Sequence, residues 1–322
     1  MHALGMSRAA RSRAFVAIAT IAGIIAASAS AAGAVSSDRA IKACLLARRA
    51  TQPQVVVYGS SRAAKLEPSY LGARVAARAF NTSLSSATPE DVWAFAHLAH
   101  DQAGGGAARA LWLLDVESFR PQRFDEALLQ VPALARYFAR SGTAEGPAEP
   151  AAPPRAAASC TFHTSAGTRY AADGFRSFDF HDAAAANGTT TADGVRRSIG
   201  EYTRLYRRFP RLSPEAEAWT DRTLTALTTW GVNSVIVLTP VHPALLRALG
   251  PIGWNRRHAE LVAYLHALQA RVPFTLIDAS RISTFGGKPG GFYDGVHQRV
   301  ENLRLLISSV VRRSGDALRP AP

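Results

Sequence analysis

Gln54-Val55-Val56-Val57-Tyr58-Gly59-Ser60-Ser61-Arg62 is the stretch from which the rest of the chain can be read. Three β-branched residues and an aromatic in succession leave no polar face. The segment therefore reads as a strand covered on both sides, the habit of parallel sheets. Gly59 and the two serines end it in a sharp turn. Working outward, Ala110 to Leu114, Ser234 to Leu238 and Phe274 to Ile277 repeat the pattern, and residues 79–84 carry a weaker copy. Helical signals fall between them. Thr88 precedes Pro89 with Asp91 three residues on, Ser213-Pro214-Glu215 opens a helix that closes before Gly231, and residues 256–270 and 300–312 are helical by period. Strands alternating with helices call for an α/β fold, a three-layer αβα sandwich around a mostly parallel five-stranded sheet.

The chain has 322 residues, of which 48% are apolar. That is enough to bury a core, which excludes a disordered protein, and two cysteines exclude a disulfide scaffold. The net charge of +13 is carried by arginine, with lysine only at 42, 65 and 288. Such a balance bears on solubility and on attraction to anionic surfaces, not on fold. Arg8, Arg11 and Arg13 precede an uncharged run from Ala14 to Val35 with small residues near its end. Residues 1–35 therefore read as a signal peptide or an N-terminal membrane anchor, which puts the remainder outside the cytoplasm. Residues 36–51 are expected to be a linker and 52–322 the folded domain. Within it, residues 120–212 form an insertion whose Ala/Pro-rich part, 141–159, reads as a flexible loop. Outside the cytoplasm Cys44 and Cys160 have an oxidising environment, but their spacing leaves pairing open.

Ligands of open α/β sheets sit beyond the carboxyl ends of the strands. Three polar signals fall there: Gly59-Ser60-Ser61-Arg62, the segment Asn81 to Ser86, and Asp294-Gly-Val-His297. A serine hydroxyl is a weak nucleophile at neutral pH. It needs a base such as histidine, which needs a carboxylate to fix its tautomer. Ser61, His297 and Asp294 are the candidates for those three roles.

These blocks resemble the SGNH (GDSL-like) hydrolases, in particular their exported, polysaccharide-modifying bacterial branches. Val56 to Arg62 is similar to the first block, with Ser61 as nucleophile; Phe80 to Ser86 is similar to the second, and Phe292 to His297 to the closing Asp-x-x-His block. Val235 to Pro243 resembles a strand and turn of the same branches. The resemblance implies a flavodoxin-like fold and an extracytoplasmic serine esterase or O-acyltransferase with no cofactor and no metal. The implied substrate is an acyl ester, of a cell-envelope polysaccharide or lipid. It further implies that Asn81 and Ser86 serve the oxyanion. Two departures stand out. Ser86 replaces the usual glycine, and Asp115-Val-Glu-Ser-Phe119 replaces the Gly-x-Asn-Asp of the third block. The second departure motivates an alternative, a non-catalytic glycan-binding or acyltransferase-accessory protein with a degenerate site.

The remaining candidates are weaker. Arg62 is placed to steer an anionic substrate, Asp115 to end a strand or hold a loop, and His242 to shape the pocket rim. His97, His100 and Asp101 share a helix face, and Asp179, His181 and Asp182 cluster in sequence, but neither set has the further ligands of a metal site. Residues 196–211 interleave arginines with Tyr202, Tyr206 and Phe209; an amphipathic helix explains them best, and export argues against nucleic acid as partner.

Overall fold

The computed structural model describes residues 38–102, 107–139, 160 and 167–319. The expected signal peptide or anchor and the Ala/Pro-rich loop 141–159 lie outside the described residues. In chain order the elements are α1 (residues 38–47), β1 (Val55–Gly59), α2 (Pro68–Val75), β2 (Ala79–Asn81), α3 (Pro89–Gln102), β3 (Arg109–Leu114) and α4 (Pro132–Ala139). There follow β4 (Arg169–Tyr170), β5 (Arg176–Phe178), α5 (Phe180–Ala186), α6 (Thr191–Arg207), α7 (Pro214–Thr229), β6 (Asn233–Leu238), α8 (Pro243–Leu249), α9 (Trp254–Gln269), β7 (Thr275–Asp278) and α10 (Val300–Arg313).

Five strands make one wholly parallel sheet in the order β2-β1-β3-β6-β7, and β4 pairs with β5 as a short antiparallel hairpin. Alternate side chains of each strand feed different cores. Val55, Val57, Leu111, Leu113, Val235 and Val237 meet Leu71 of α2 and Leu303, Leu306 and Val310 of α10. Val56, Tyr58, Trp112 and Ile236 pack on the other side with Leu98 of α3, Leu224 of α7 and Leu261 of α9. Burial of both strand faces is what the continuous apolar runs required. The strand order reverses at β1, between β2 and β3, and that reversal opens a crevice at the carboxyl edge.

Residues 36–51 are not a linker over their described length. Helix α1 packs Ile41, Ala43 and Leu46 into the interior. Arg39, also buried, binds both carboxylate oxygens of Asp91 (2.6 and 2.9 Å) and Asp125 (2.7 Å). Lys42 is fully buried, its Nζ donating to the carbonyls of Asn81 (2.7 Å) and Gly174, and burial with the nearby Arg176 charge brings its pKa down to about 7. A sequence reading assigns charged residues to solvent; here Arg39 is paired with carboxylates and Lys42 with carbonyl oxygens of distant elements. Asp91, the expected capping-box partner of Thr88, accepts the Thr88 backbone N–H (3.0 Å), and it also anchors Arg39.

Cys44 of α1 and Cys160 are joined by a disulfide that closes a loop across 116 positions. Constraining an unfolded loop of that length contributes stability, commonly about 2–4 kcal/mol. Cys160→Ser should accordingly lower the unfolding free energy by about 2–4 kcal/mol in urea titrations. A change below about 0.5 kcal/mol would mean that the buried charges alone hold α1.

Candidate active site

The turn after β1 is forced by close packing. A Cβ at Gly59 would lie 2.8 Å from the Leu113 carbonyl oxygen and 2.9 Å from Ala63 Cβ, so only glycine lets β1 run beside β3 and then bend away. Ser61 emerges on this bend. Its Oγ lies 2.9 Å from His297 Nε2, across 236 positions of sequence.

The loop before α10 is organised around the Asp294 carboxylate. Oδ1 accepts the backbone N–H groups of Val296 and His297, both at 2.8 Å, and Oδ2 faces His297 Nδ1 at 2.7 Å. A carboxylate only accepts, so His297 Nδ1 carries the hydrogen and neutral Nε2 is left as acceptor for the Ser61 hydroxyl. Asp294 is held well below the usual carboxylate range: burial opposes this, but the electrostatic interaction with His297 and hydrogen bonds from His181 and His297 outweigh it. The His297 imidazole is pushed below its ordinary value, chiefly by burial, with His181 and Arg62 adding to the effect against Asp294. A neutral base beside an ionised carboxylate results.

Ser86 adopts φ 54°, the left-handed region that glycine enters most easily, so the chain course survives the absence of that glycine. Ser61 and Ser86 line one cleft. Neither backbone N–H donates to an acceptor among the described residues.

Asn81 does not reach this cleft. Its Nδ2 donates to the Ala63 and Leu66 carbonyls, both at 2.9 Å, and its Oδ1 accepts the Ser83 N–H (2.9 Å). With every side-chain atom engaged it has no donor for an oxyanion, and its work is to clamp the turn after β1. Arg62 is no solvated steering charge either. It is buried, donating to Glu117 (2.7 Å), Thr239 (3.1 Å) and Tyr202 (3.2 Å), with Asp115 at 3.6 Å. Asp115 in turn accepts from Thr239 Oγ1 at 2.6 Å. The acidic segment that stands in place of the third block is therefore a socket for the arginine following Ser61. His242 caps α8 through Nδ1, which accepts the Ala244 N–H, and its own backbone N–H donates to Gly295 (2.9 Å). It supports the Asp294 loop from behind and does not line the Ser61 cleft.

His181 is not among the catalytic candidates of the sequence. The structure brings it from α5 onto the same carboxylate, with Nε2 3.5 Å from Asp294 Oδ2 and its ring 4.1 Å from that of His297. No periodic signal marks it, because α5 belongs to the insertion, whose docking is fixed by long-range packing. His181, Asp294 and His297 are the only cluster with metal-ligand types in reach of one another among the described residues. Their facing atoms are already paired with one another or with Ser61, which does not fit a vacant coordination site. His97 and His100 instead pack against Trp93 and Trp230.

No protein-family model matches the sequence, and no curated protein matches it. Among solved structures, the chain is similar to a provisionally named acylhydrolase from Bacteroides fragilis. The two share 10% identity and a TM-score of 0.40, with 82% of this chain and 88% of that chain covered. A likeness so distant carries no argument about chemistry.

Replacing Arg62 by methionine leaves the buried Asp115 and the partly buried Glu117 without a counter-charge. Loss of one partner of a buried pair typically costs about 3–5 kcal/mol. Chemical denaturation of Arg62→Met should show a loss of that size; an unchanged midpoint would mean the socket does not hold the turn.

Proposed function

We propose that the protein is an extracytoplasmic serine esterase or O-acyltransferase of SGNH type, with Ser61 as nucleophile, His297 as base and Asp294 as its orienting carboxylate. The observation that carries this reading is the unbroken line from Asp294 through His297 to Ser61, at 2.7 and 2.9 Å. In the reaction Ser61 Oγ bonds to the acyl carbonyl carbon while its proton passes to His297 Nε2. The oxyanion faces the backbone N–H groups of Ser61 and Ser86, without the third-block asparagine. The leaving alcohol takes the proton back from His297 as the ester bond breaks. Water or a second alcohol then gives its proton to His297 and bonds to the acyl carbon; as the acyl–Oγ bond breaks, His297 passes that proton to Ser61 Oγ and restores the hydroxyl.

Two clefts adjoin this line. Ser61 opens on one of about 140 Å³, and His297 on another of about 230 Å³ that also holds Phe180, Arg197 and Glu201. Separate room beside nucleophile and base suits an acyl donor and a hydroxylated acceptor, such as an envelope polysaccharide or lipid. The Cys44–Cys160 disulfide and the basic, then apolar, N-terminus support an oxidising location outside the cytoplasm.

A fluorophosphonate probe should label wild-type protein, and Ser61→Ala should abolish labelling. His297→Ala should slow labelling by at least ~10³-fold. Because the base acts neutral and its pKa is depressed, labelling should be level at neutral pH and fall only below the ordinary histidine value of about 6.5. Equal labelling of Ser61→Ala and wild type would overturn the proposal. A wild-type protein inert to the probe but retained on a glycan column would favour a binding role.

A further inference from the structure

His181 has an environment that a structural histidine does not need. Its Nδ1 lies 3.3 Å from Asp179 Oδ1 and its Nε2 3.5 Å from Asp294 Oδ2, both within ion-pair range. Carboxylate oxygens only accept, so satisfying both requires a hydrogen on each ring nitrogen, the imidazolium form. The ring is buried and lies 4.1 Å from that of His297.

The surroundings keep the arrangement in place. Asp179 caps α5 and is flanked by Lys65 (3.8 Å) and Arg176 (3.9 Å). Lys65 also pairs with Asp182, which accepts the Tyr293 hydroxyl. From α6, Arg197 and Glu201 line the cleft that His181 shares with His297, and Arg299 lines it from the loop before α10. Neither Arg197 nor Glu201 forms an ion pair among the described residues, and Arg299 lies over the Tyr293 ring. Asp179 and Asp294 are thus the charges that face the His181 nitrogens directly. Helix α6 closes on the loop: a Cβ at Gly194 would meet the Tyr293 carbonyl oxygen at 2.3 Å, and Ser198 Oγ accepts the Gly295 N–H at 3.1 Å.

We propose that His181 is a positioning residue of this site, an imidazolium from the insertion that shares Asp294 with His297 and extends the pH range of the base toward acid. The inference rests on the proposed roles of Ser61, His297 and Asp294. A cation beside His297 disfavours a second positive charge there and draws on the Asp294 charge that would otherwise favour one. Both effects keep His297 neutral at lower pH. Burial opposes the charge on His181, but its hydrogen bonds to and attraction for Asp179 and Asp294 raise its affinity for the proton.

The test follows fluorophosphonate labelling and the imidazole NMR titration of His297 against pH, in wild type, His181→Gln, His181→Lys and Asp179→Asn. In His181→Gln the acid limb of labelling and the His297 titration should both move to higher pH, by roughly one unit. His181→Lys restores a cation and should move both back toward wild type. Asp179→Asn keeps the helix cap and should shift both in the Gln direction by less, which serves as the readout if His181→Gln does not fold. Superimposed His297 titrations in wild type and the folded variants would overturn the proposal. Absence of labelling in wild type would overturn the nucleophile assignment instead, and the NMR titration would still decide whether His181 acts on His297.

Discussion

The Asp294 carboxylate is the constraint on which the site depends. It accepts two backbone N–H groups of its own turn through Oδ1, and Oδ2 faces one imidazole at 2.7 Å and a second at 3.5 Å. An acceptor surrounded in this way stays ionised, and an ionised Asp294 fixes which nitrogen of His297 carries hydrogen. That tautomer in turn makes Nε2 the acceptor for Ser61. The order of causation runs from a tight turn, through one charge, to a proton-accepting nitrogen. Protonating Asp294, or rotating it, would disconnect the line at its origin.

Around that line the protein uses buried charge where a sheet protein of this size could have used apolar packing. Arg62 sits in a socket of Asp115, Glu117, Thr239 and Tyr202 immediately after Ser61. Replacing buried ion pairs by hydrophobic residues is often neutral or stabilising, so stability alone does not account for the network. Directional bonds do what apolar contacts cannot: they hold the segment after β1 to the ends of β3 and β6 in one register. The same positive charge helps keep His297 unprotonated. Geometry and electrostatics are served by one side chain.

What the sequence could reveal follows from how local each signal is. The strands β1, β3 and β6 were legible because burial on both faces writes itself as an apolar run, the half-buried edge strand β7 carries a shorter apolar run, and their order of occurrence with helices between them dictated the parallel sheet. Ser61, His297 and Asp294 were legible as partners because strand ends converge at one edge. Asn81, Arg62 and His242 were read as site residues from their position at that edge, yet their side chains turn inward or away; position on a strand end does not fix where a side chain points. The insertion was opaque for a different reason. Its elements α5 and α6 are placed by contacts such as Gly194 against Tyr293 and Ser198 with Gly295, pairings about one hundred positions apart that leave no period behind. His181 was therefore invisible as a neighbour of His297.

Helix α1 poses the same problem at the other end of the chain and resolves it in favour of the site. Asp38 of this helix accepts the Ser85 hydroxyl at 2.9 Å and the Ser85 backbone N–H at 3.3 Å, and it pairs with Arg176 of β5. Ser85 precedes Ser86, which has a left-handed backbone and lines the same cleft as Ser61. A non-glycine residue in that conformation is strained by about 1 kcal/mol or more and persists where the surroundings over-determine it. Asp38 supplies that determination from the helix which the disulfide ties to Cys160. The segment that reads in sequence as a spacer between an export signal and a domain thus contacts and supports the loop that holds Ser86.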